Sequence, residues 1–98
     1  MTGVQFLDTL ERVIDERLTQ APEGSYTAKL ASQGKLKVAQ KVGEEAVELA
    51  LAAVAQDSAR VTSEAADLVY HLMLLLRLRE LRLADVAAEL ERRHRPRA

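Results

Sequence analysis

The chain has 98 residues, no cysteine and a formal net charge of −1. These values exclude disulfides and thiolate metal sites, and they provide no overall field that would attract a nucleic acid or an anionic membrane. Hydrophobic residues make up 48% of the chain but aromatic residues only 3%, so the apolar set, mainly Ala, Leu and Val, favours an all-α fold. With no signal-peptide pattern and no membrane span, we expect one cytoplasmic domain over residues 1–98.

The first half of the chain predicts two helices and the start of a third. Apolar residues recur at helical spacing over residues 4–19, and the stretch "APEGS" then ends this helix. Ser25 is the expected N-cap of a short helix that runs to about Ser32 and is closed by Gly34. Residues 35–56 contain no proline and one glycine, which predicts a third, long helix.

The second half of the chain predicts two more helices. Asp57 or Ser58 is the expected N-cap of a fourth helix that ends at about Leu78, and a last helix covers residues 83–93. Leu and Met residues cover nearly the whole circumference of the fourth helix from Leu68 onward, so we expect it to be buried on every side.

This burial requirement favours a helical bundle completed by dimerisation. A chain of this size buries only around two thirds of its unfolded surface, and the short second helix cannot complete a four-helix bundle. We therefore predict that two chains, or a higher homo-oligomer, share one core. The alternative is a monomeric array of five helices.

Carboxylates lie beside the apolar seam of both long helices. At about 100° per residue, Glu45 lies nearest to the apolar residues of the third helix and Glu44 lies farthest from them. If the two long helices pack antiparallel, four acids converge across the seam: Glu45, Glu48, Glu64 and Asp67.

A cluster of this kind needs compensation, because crowded carboxylates repel one another and must bind protons or share a cation. Oxygen ligands without Cys or His on the same face favour Mg²⁺, or Mn²⁺, over zinc. The alternative is a solvated helix face with ordinary i,i+4 ion pairs, such as Lys41 with Glu45 or Arg60 with Glu64.

Two stretches of the sequence, "KVGEEAVE" and "EAADLVYH", resemble the E-E-x-x-E and E-x-x-D pattern of the MazG-type all-α nucleotide pyrophosphohydrolases. Within that superfamily the chain resembles the phosphoribosyl-ATP pyrophosphohydrolase family over about residues 7–93. The stretches "SYTAKL" and "LADVAAELERR" and the glycine Gly34 add to this likeness.

The resemblance implies an Mg²⁺-dependent hydrolysis of 1-(5-phosphoribosyl)-ATP to 1-(5-phosphoribosyl)-AMP and pyrophosphate, the second step of histidine biosynthesis. It also implies a cytoplasmic helical oligomer built on a dimer. The metal-binding acids of the family match Glu45, Glu48, Glu64 and Asp67, and Glu44 matches the acid that precedes them.

Further roles follow from the chemistry of a phosphoanhydride. Glu44 and Glu48 are our catalytic candidates for orienting or deprotonating the attacking water. Because a lysine ammonium is a mobile point charge suited to phosphate oxygens, we assign substrate phosphate binding to Lys29, Lys35, Lys37 and Lys41. Tyr70 and His71 match the family's "YH" but suit a packed core equally well, and we leave them out of the catalytic set.

The sequence departs from the family pattern where a Ser commonly caps the last helix. Arg82 stands there, so we expect this helix to begin loosely. The cyclohydrolase domain to which this activity is fused in some organisms has no counterpart here, and we expect that enzyme to be a separate protein. Two other functions stay open: a housecleaning nucleoside triphosphate pyrophosphatase of the same superfamily, and a non-catalytic helical dimerisation module.

Overall fold

The computed structural model describes residues 3–96, and this part of the chain contains helices and no strands. A 3₁₀ turn at Gly3–Gln5 precedes five α-helices: α1 (Phe6–Gln20), α2 (Tyr26–Ser32), α3 (Lys35–Ala55), α4 (Ser58–Leu78) and α5 (Leu83–His94). The predicted all-α fold is confirmed, and each predicted helix is found within about two residues of its expected ends. None of these described helices is long and apolar enough to cross a membrane.

Local capping bonds explain where the helices begin. The Ser25 hydroxyl accepts a hydrogen bond from the backbone N–H of Ala28 at 3.1 Å, as predicted for the start of α2. Gly34 has a φ of 97° between α2 and α3, a conformation that side chains disfavour. Asp57 caps α4 by accepting from the N–H of Arg60 at 2.9 Å, which decides between the two predicted caps.

The two long helices form the main packing unit of the molecule. Each has 21 residues and only Gln56 and Asp57 join them, so they run antiparallel along each other. Helices α1 and α2 pack against this pair. Side chains from α1, α2, α3 and α4 meet in a small core of buried residues, namely Ile14, Leu30, Val38, Met73 and Leu74.

Helix α4 is only partly enclosed by its own chain. Met73 and Leu74 are buried, and the other leucines of its second half are half-buried. Burial on every side was predicted for two chains that share a core, and it stays a prediction. Helix α3 also leaves a row of apolar side chains exposed, formed by Leu36, Val47, Leu51 and Val54.

Helix α5 begins in a fixed position despite the missing Ser cap. The carboxylate of Asp85 accepts a hydrogen bond from the N–H of Arg82 at 2.8 Å. The carboxylate of Glu11 in α1 accepts from the N–H of Leu83 at 3.0 Å and from the Arg82 guanidinium at 3.0 Å. The expectation of a loose start was therefore wrong. Asp85 and Glu11 accept from the amides of Arg82 and Leu83, and the Asp85 amide donates to the Arg82 carbonyl at 2.9 Å, so the first turn is bonded without a Ser hydroxyl.

Candidate metal centre and phosphate groove

Three carboxylates converge where α3 and α4 pack. Glu45 and Glu48 lie one turn apart on α3, and Glu64 faces them from α4; one oxygen of each lies within 4.8 Å of the others. Glu45 and Glu64 are only 6% and 4% exposed, whereas Glu48 is exposed. Asp67, expected as the fourth member, lies one turn further along α4 with an exposed side chain and is not part of this close set.

The two buried carboxylates are only half satisfied. Oε1 of Glu45 pairs with Nζ of Lys41 at 3.2 Å, and Oε1 of Glu64 pairs with a guanidinium nitrogen of Arg60 at 2.9 Å. Oε2 of each is buried without a hydrogen-bond partner among residues 3–96. An orphaned buried carboxylate oxygen is costly, so this arrangement suits a cation that both oxygens could bind.

The pKa of Glu64 also favours a bound cation at this cluster. Burial raises the pKa of Glu64, Arg60 acts against this shift, and the nearby carboxylates of Glu48 and Asp67 add to it. Positive charge added beside Glu64 would therefore favour its ionised form. A donor set made only of carboxylate oxygens matches the preference of Mg²⁺ and Mn²⁺, so the residues fit the expected metal.

A groove of about 300 Å³ lies beside this carboxylate cluster. We call it the lysine groove, because its wall contains three of the four lysines predicted to bind phosphate, Lys29, Lys37 and Lys41. Lys41 also pairs with Glu45, so it joins the groove to the cluster. Lys35 lines a separate groove, since two residues of helix rotate it about 200° away from Lys37.

Glu44 and Glu45 are neighbours in sequence but occupy different environments. The Glu44 side chain is 51% exposed, lines the lysine groove and accepts a hydrogen bond from the Gln40 amide at 3.1 Å. The predicted order of burial, with Glu45 inside and Glu44 outside, is confirmed. Of the two predicted catalytic acids, Glu48 therefore lies in the carboxylate cluster and Glu44 lies in the groove wall.

His71 connects the acidic side of α4 to the groove. Its Nδ1 lies 2.7 Å from the backbone carbonyl of Asp67, which can only accept, so Nδ1 carries the proton. Its Nε2 then accepts from the hydroxyl of Tyr26, 2.8 Å away. The neighbouring residues, Thr27 after Tyr26 and Tyr70 before His71, also share a hydrogen bond through their hydroxyls. These two bonds fix α2 on α4.

Tyr26 lines the lysine groove but was not among the predicted site residues. The sequence did contain a signal, because Tyr26 precedes Lys29 by three residues and therefore shares its face of α2. That spacing alone does not distinguish a groove wall from a solvated surface. The bond from Tyr26 to His71 of α4 orients the Tyr26 ring in the groove wall.

Fold and site together define an all-α protein with a carboxylate cluster beside a lysine-lined groove. A family model described as Phosphoribosyl-ATP pyrophosphohydrolase matches residues 7–94. The match covers most of the chain and includes all of the site residues described above. The chain belongs to this family.

Curated relatives agree with this assignment. A "Phosphoribosyl-ATP pyrophosphatase" of Metallosphaera sedula is 52% identical over 93 residues, which cover 95% of this chain and 98% of the relative. A protein of the same name from Rhizobium etli is 50% identical over 95% of this chain and 86% of the relative. A "Histidine biosynthesis bifunctional protein HisIE" of Xanthomonas axonopodis pv. citri is 56% identical over 92% of this chain, which spans only 44% of that relative's length.

Proposed function

We propose that this chain hydrolyses 1-(5-phosphoribosyl)-ATP to 1-(5-phosphoribosyl)-AMP and pyrophosphate, the second step of histidine biosynthesis, in the cytoplasm and with Mg²⁺ or Mn²⁺. One observation carries the proposal: Glu45 and Glu64 each have a buried oxygen without a hydrogen-bond partner in the described part of the chain, and they lie beside a groove lined by three lysines. The family assignment and the names of the relatives support the choice of substrate.

The metal would be held by Glu45, Glu48 and Glu64, with Asp67 as a further ligand from the next turn of α4. When bound, it supplies positive charge that neutralises phosphate oxygens of the substrate. It would also satisfy the two buried oxygens that have no partner within residues 3–96.

The remaining chemistry belongs to the side chains of this protein. Lys29, Lys37 and Lys41 bind phosphate oxygens of the substrate, while Lys35 lies in another groove and is left out of this set. Release of pyrophosphate requires a water oxygen to bond to phosphorus as the bridging P–O bond between the α- and β-phosphates breaks. Glu44 or Glu48 orients this water and accepts its proton.

The substrate is tested by comparing hydrolysis rates of 1-(5-phosphoribosyl)-ATP, ATP, dCTP and dUTP in the presence of Mg²⁺. We expect the phosphoribosylated nucleotide to be hydrolysed with the highest kcat/KM. A preference for a simple triphosphate would instead identify a housecleaning pyrophosphatase. Growth of a histidine auxotroph that lacks this step, when it expresses the chain, tests the same function in cells.

The metal site is tested with the double variant Glu45→Gln, Glu48→Gln. We expect turnover to fall on the order of a hundredfold or more while the circular dichroism spectrum stays helical. Glu16→Gln, an exposed glutamate on α1, is the matched control and should keep the parental rate. A double variant with parental turnover would contradict the assignment of the metal ligands, and a parent inactive on all four nucleotides would favour a dimerisation module.

We also propose that the chain acts as a homodimer. The exposed apolar row on α3 and the half-buried leucines of α4 are the surfaces that a second copy would cover. Burying them would complete the helical bundle that a single chain leaves open.

A further inference from the structure

An aromatic ring forms part of the wall of the lysine groove. The chain has three aromatic residues, Phe6, Tyr26 and Tyr70, all within the described part, and only Tyr26 lines this groove. Its side chain is half exposed, at 50%, and Leu30 lies beside it in the same wall. The groove therefore combines positive charge with a flat apolar surface.

Contacts with His71 hold the Tyr26 ring in place. Its hydroxyl donates to Nε2 of His71 at 2.8 Å, and the two rings meet edge to face with centroids 5.7 Å apart. His71 is itself buried and bonded to the Asp67 carbonyl. Burial raises the pKa of Tyr26 while Lys41 acts against this shift, so the phenol stays protonated and keeps donating at neutral pH.

Resting on the proposed nucleotide substrate, we propose that Tyr26 binds the purine base by stacking its exposed ring against the base. The lysines of the groove suit phosphate oxygens but offer nothing to a flat heteroaromatic group, whereas a fixed aromatic face does. A ring already immobilised by His71 loses little conformational freedom when the base stacks on it. Tyr26 would therefore make the groove bind nucleotides more tightly than inorganic polyphosphates, which have no base.

The test compares two ligands that differ by the nucleoside, ADP and inorganic pyrophosphate, by calorimetric titration in Mg²⁺. Tyr26→Leu should weaken ADP binding about tenfold or more and leave pyrophosphate binding within about twofold. Tyr26→Phe keeps the ring and should bind ADP within about threefold of the parent. Phe6→Leu is the matched control, because Phe6 is 52% exposed and does not line the groove.

Three results would overturn the stacking role: ADP affinity unchanged in Tyr26→Leu, an equal loss for pyrophosphate and ADP, or a loss in Tyr26→Phe as large as in Tyr26→Leu. The last would mean that the bond to His71 matters and the ring face does not. Failure of the proposed function can be distinguished from failure of the stacking role. A parent that does not hydrolyse 1-(5-phosphoribosyl)-ATP but shows Tyr26-dependent ADP binding refutes the activity alone, and an active parent with ADP affinity unmoved in Tyr26→Leu refutes the stacking alone.

Discussion

At the scale of single residues, the cations around the carboxylate cluster differ in what else they touch. Lys41 pairs with Glu45 and also lines the lysine groove, so it can serve both the cluster and a phosphate. Arg60 pairs with Glu64 but does not line that groove. With the proposed metal bound, Arg60 would compete with it for Glu64 without offering a contact to a ligand in the groove.

Arg60→Gln should strengthen metal binding, because it removes a positive charge and an ion pair from Glu64. Glu64 is buried but Arg60 is exposed, so solvent screens the pair. We expect the Kd for Mn²⁺, measured by electron paramagnetic resonance, to fall by about two- to fivefold. Arg95→Gln is the matched control. Arg95 forms an ion pair of the same i,i+4 spacing with Glu91, which is not one of the clustered carboxylates. An unchanged or weaker Mn²⁺ affinity in Arg60→Gln would show that Arg60 does not compete with the metal.

At the scale of helices, the short helix α2 packs on α1 and α3 and is also bonded to α4 through two pairs of side chains. The bond from Tyr26 to His71 joins residues 45 positions apart in sequence, and the bond from Thr27 to Tyr70 joins residues 43 positions apart. Thr27 is fully buried and its hydroxyl is satisfied by this contact. Tyr26 and Lys29 reach the groove because α2 is fixed here.

His71→Leu should lower the free energy of unfolding by about 1 to 2 kcal/mol, measured by urea denaturation, because it removes two side-chain hydrogen bonds at a buried position. His94→Leu is the matched control. His94 bonds the carbonyl four residues earlier in the same way, at 2.7 Å, but it is exposed. Equal stability of the two variants would show that His71 does not fix α2.

The start of α5 also depends on a distant helix. The carboxylate of Glu11 accepts from the N–H of Leu83, and the Arg82 guanidinium reaches both Glu11 and Asp15. Asp15 in turn accepts from Arg77 at 2.7 Å. This network fixes α1 to the end of α4 and the start of α5.

Glu11→Ala should loosen the first turn of α5, because it leaves the Leu83 amide without its acceptor. We expect faster hydrogen exchange for the amides of that turn, by about tenfold if the lost bond is worth a little over 1 kcal/mol. Glu16→Ala, at an exposed position of the same helix, should leave these rates unchanged. Unchanged exchange in Glu11→Ala would mean that Asp85 alone is sufficient.

The helices themselves were predictable because their signals are local. Apolar spacing, capping residues and the lack of proline located all five, and the Ser25 cap lies within one turn of the residues that it serves. The first residue of α5 was predicted correctly, but the expectation of a loose start was wrong because the Leu83 amide finds its acceptor 72 residues away, in Glu11. Contacts over such distances are not encoded in any short stretch of sequence.

At the scale of the whole molecule, a single chain leaves much apolar surface open. Val47, Leu51 and Val54 follow one another at helical spacing on the outer face of α3, and they are 59%, 65% and 87% exposed. A second apolar surface on α5 contains Val86 and Leu90. The core that one chain encloses is small by comparison.

Leu51→Glu should convert the proposed dimer to monomers, since it places a charge in the centre of the apolar row on α3. The mass is measured by light scattering after size-exclusion chromatography. Leu90→Glu is the matched control, because Leu90 is 50% exposed on α5. If only Leu90→Glu causes dissociation, the dimer interface lies on α5 and not on α3. A parent protein that is already monomeric would contradict the proposed dimer.

The sequence by itself determined the helices, the resemblance to the family, and the side of each long helix on which the acids lie, because these depend on spacing along one chain segment. Only the tertiary structure decided which groups meet. Packing of α3 on α4 brings Glu45, Glu48 and Glu64 together and leaves Asp67 outside the close set. Packing of α2 beside α3 forms the groove, and the bond from Tyr26 to His71 of α4 orients the Tyr26 ring in its wall, so these positions depend on contacts between different helices.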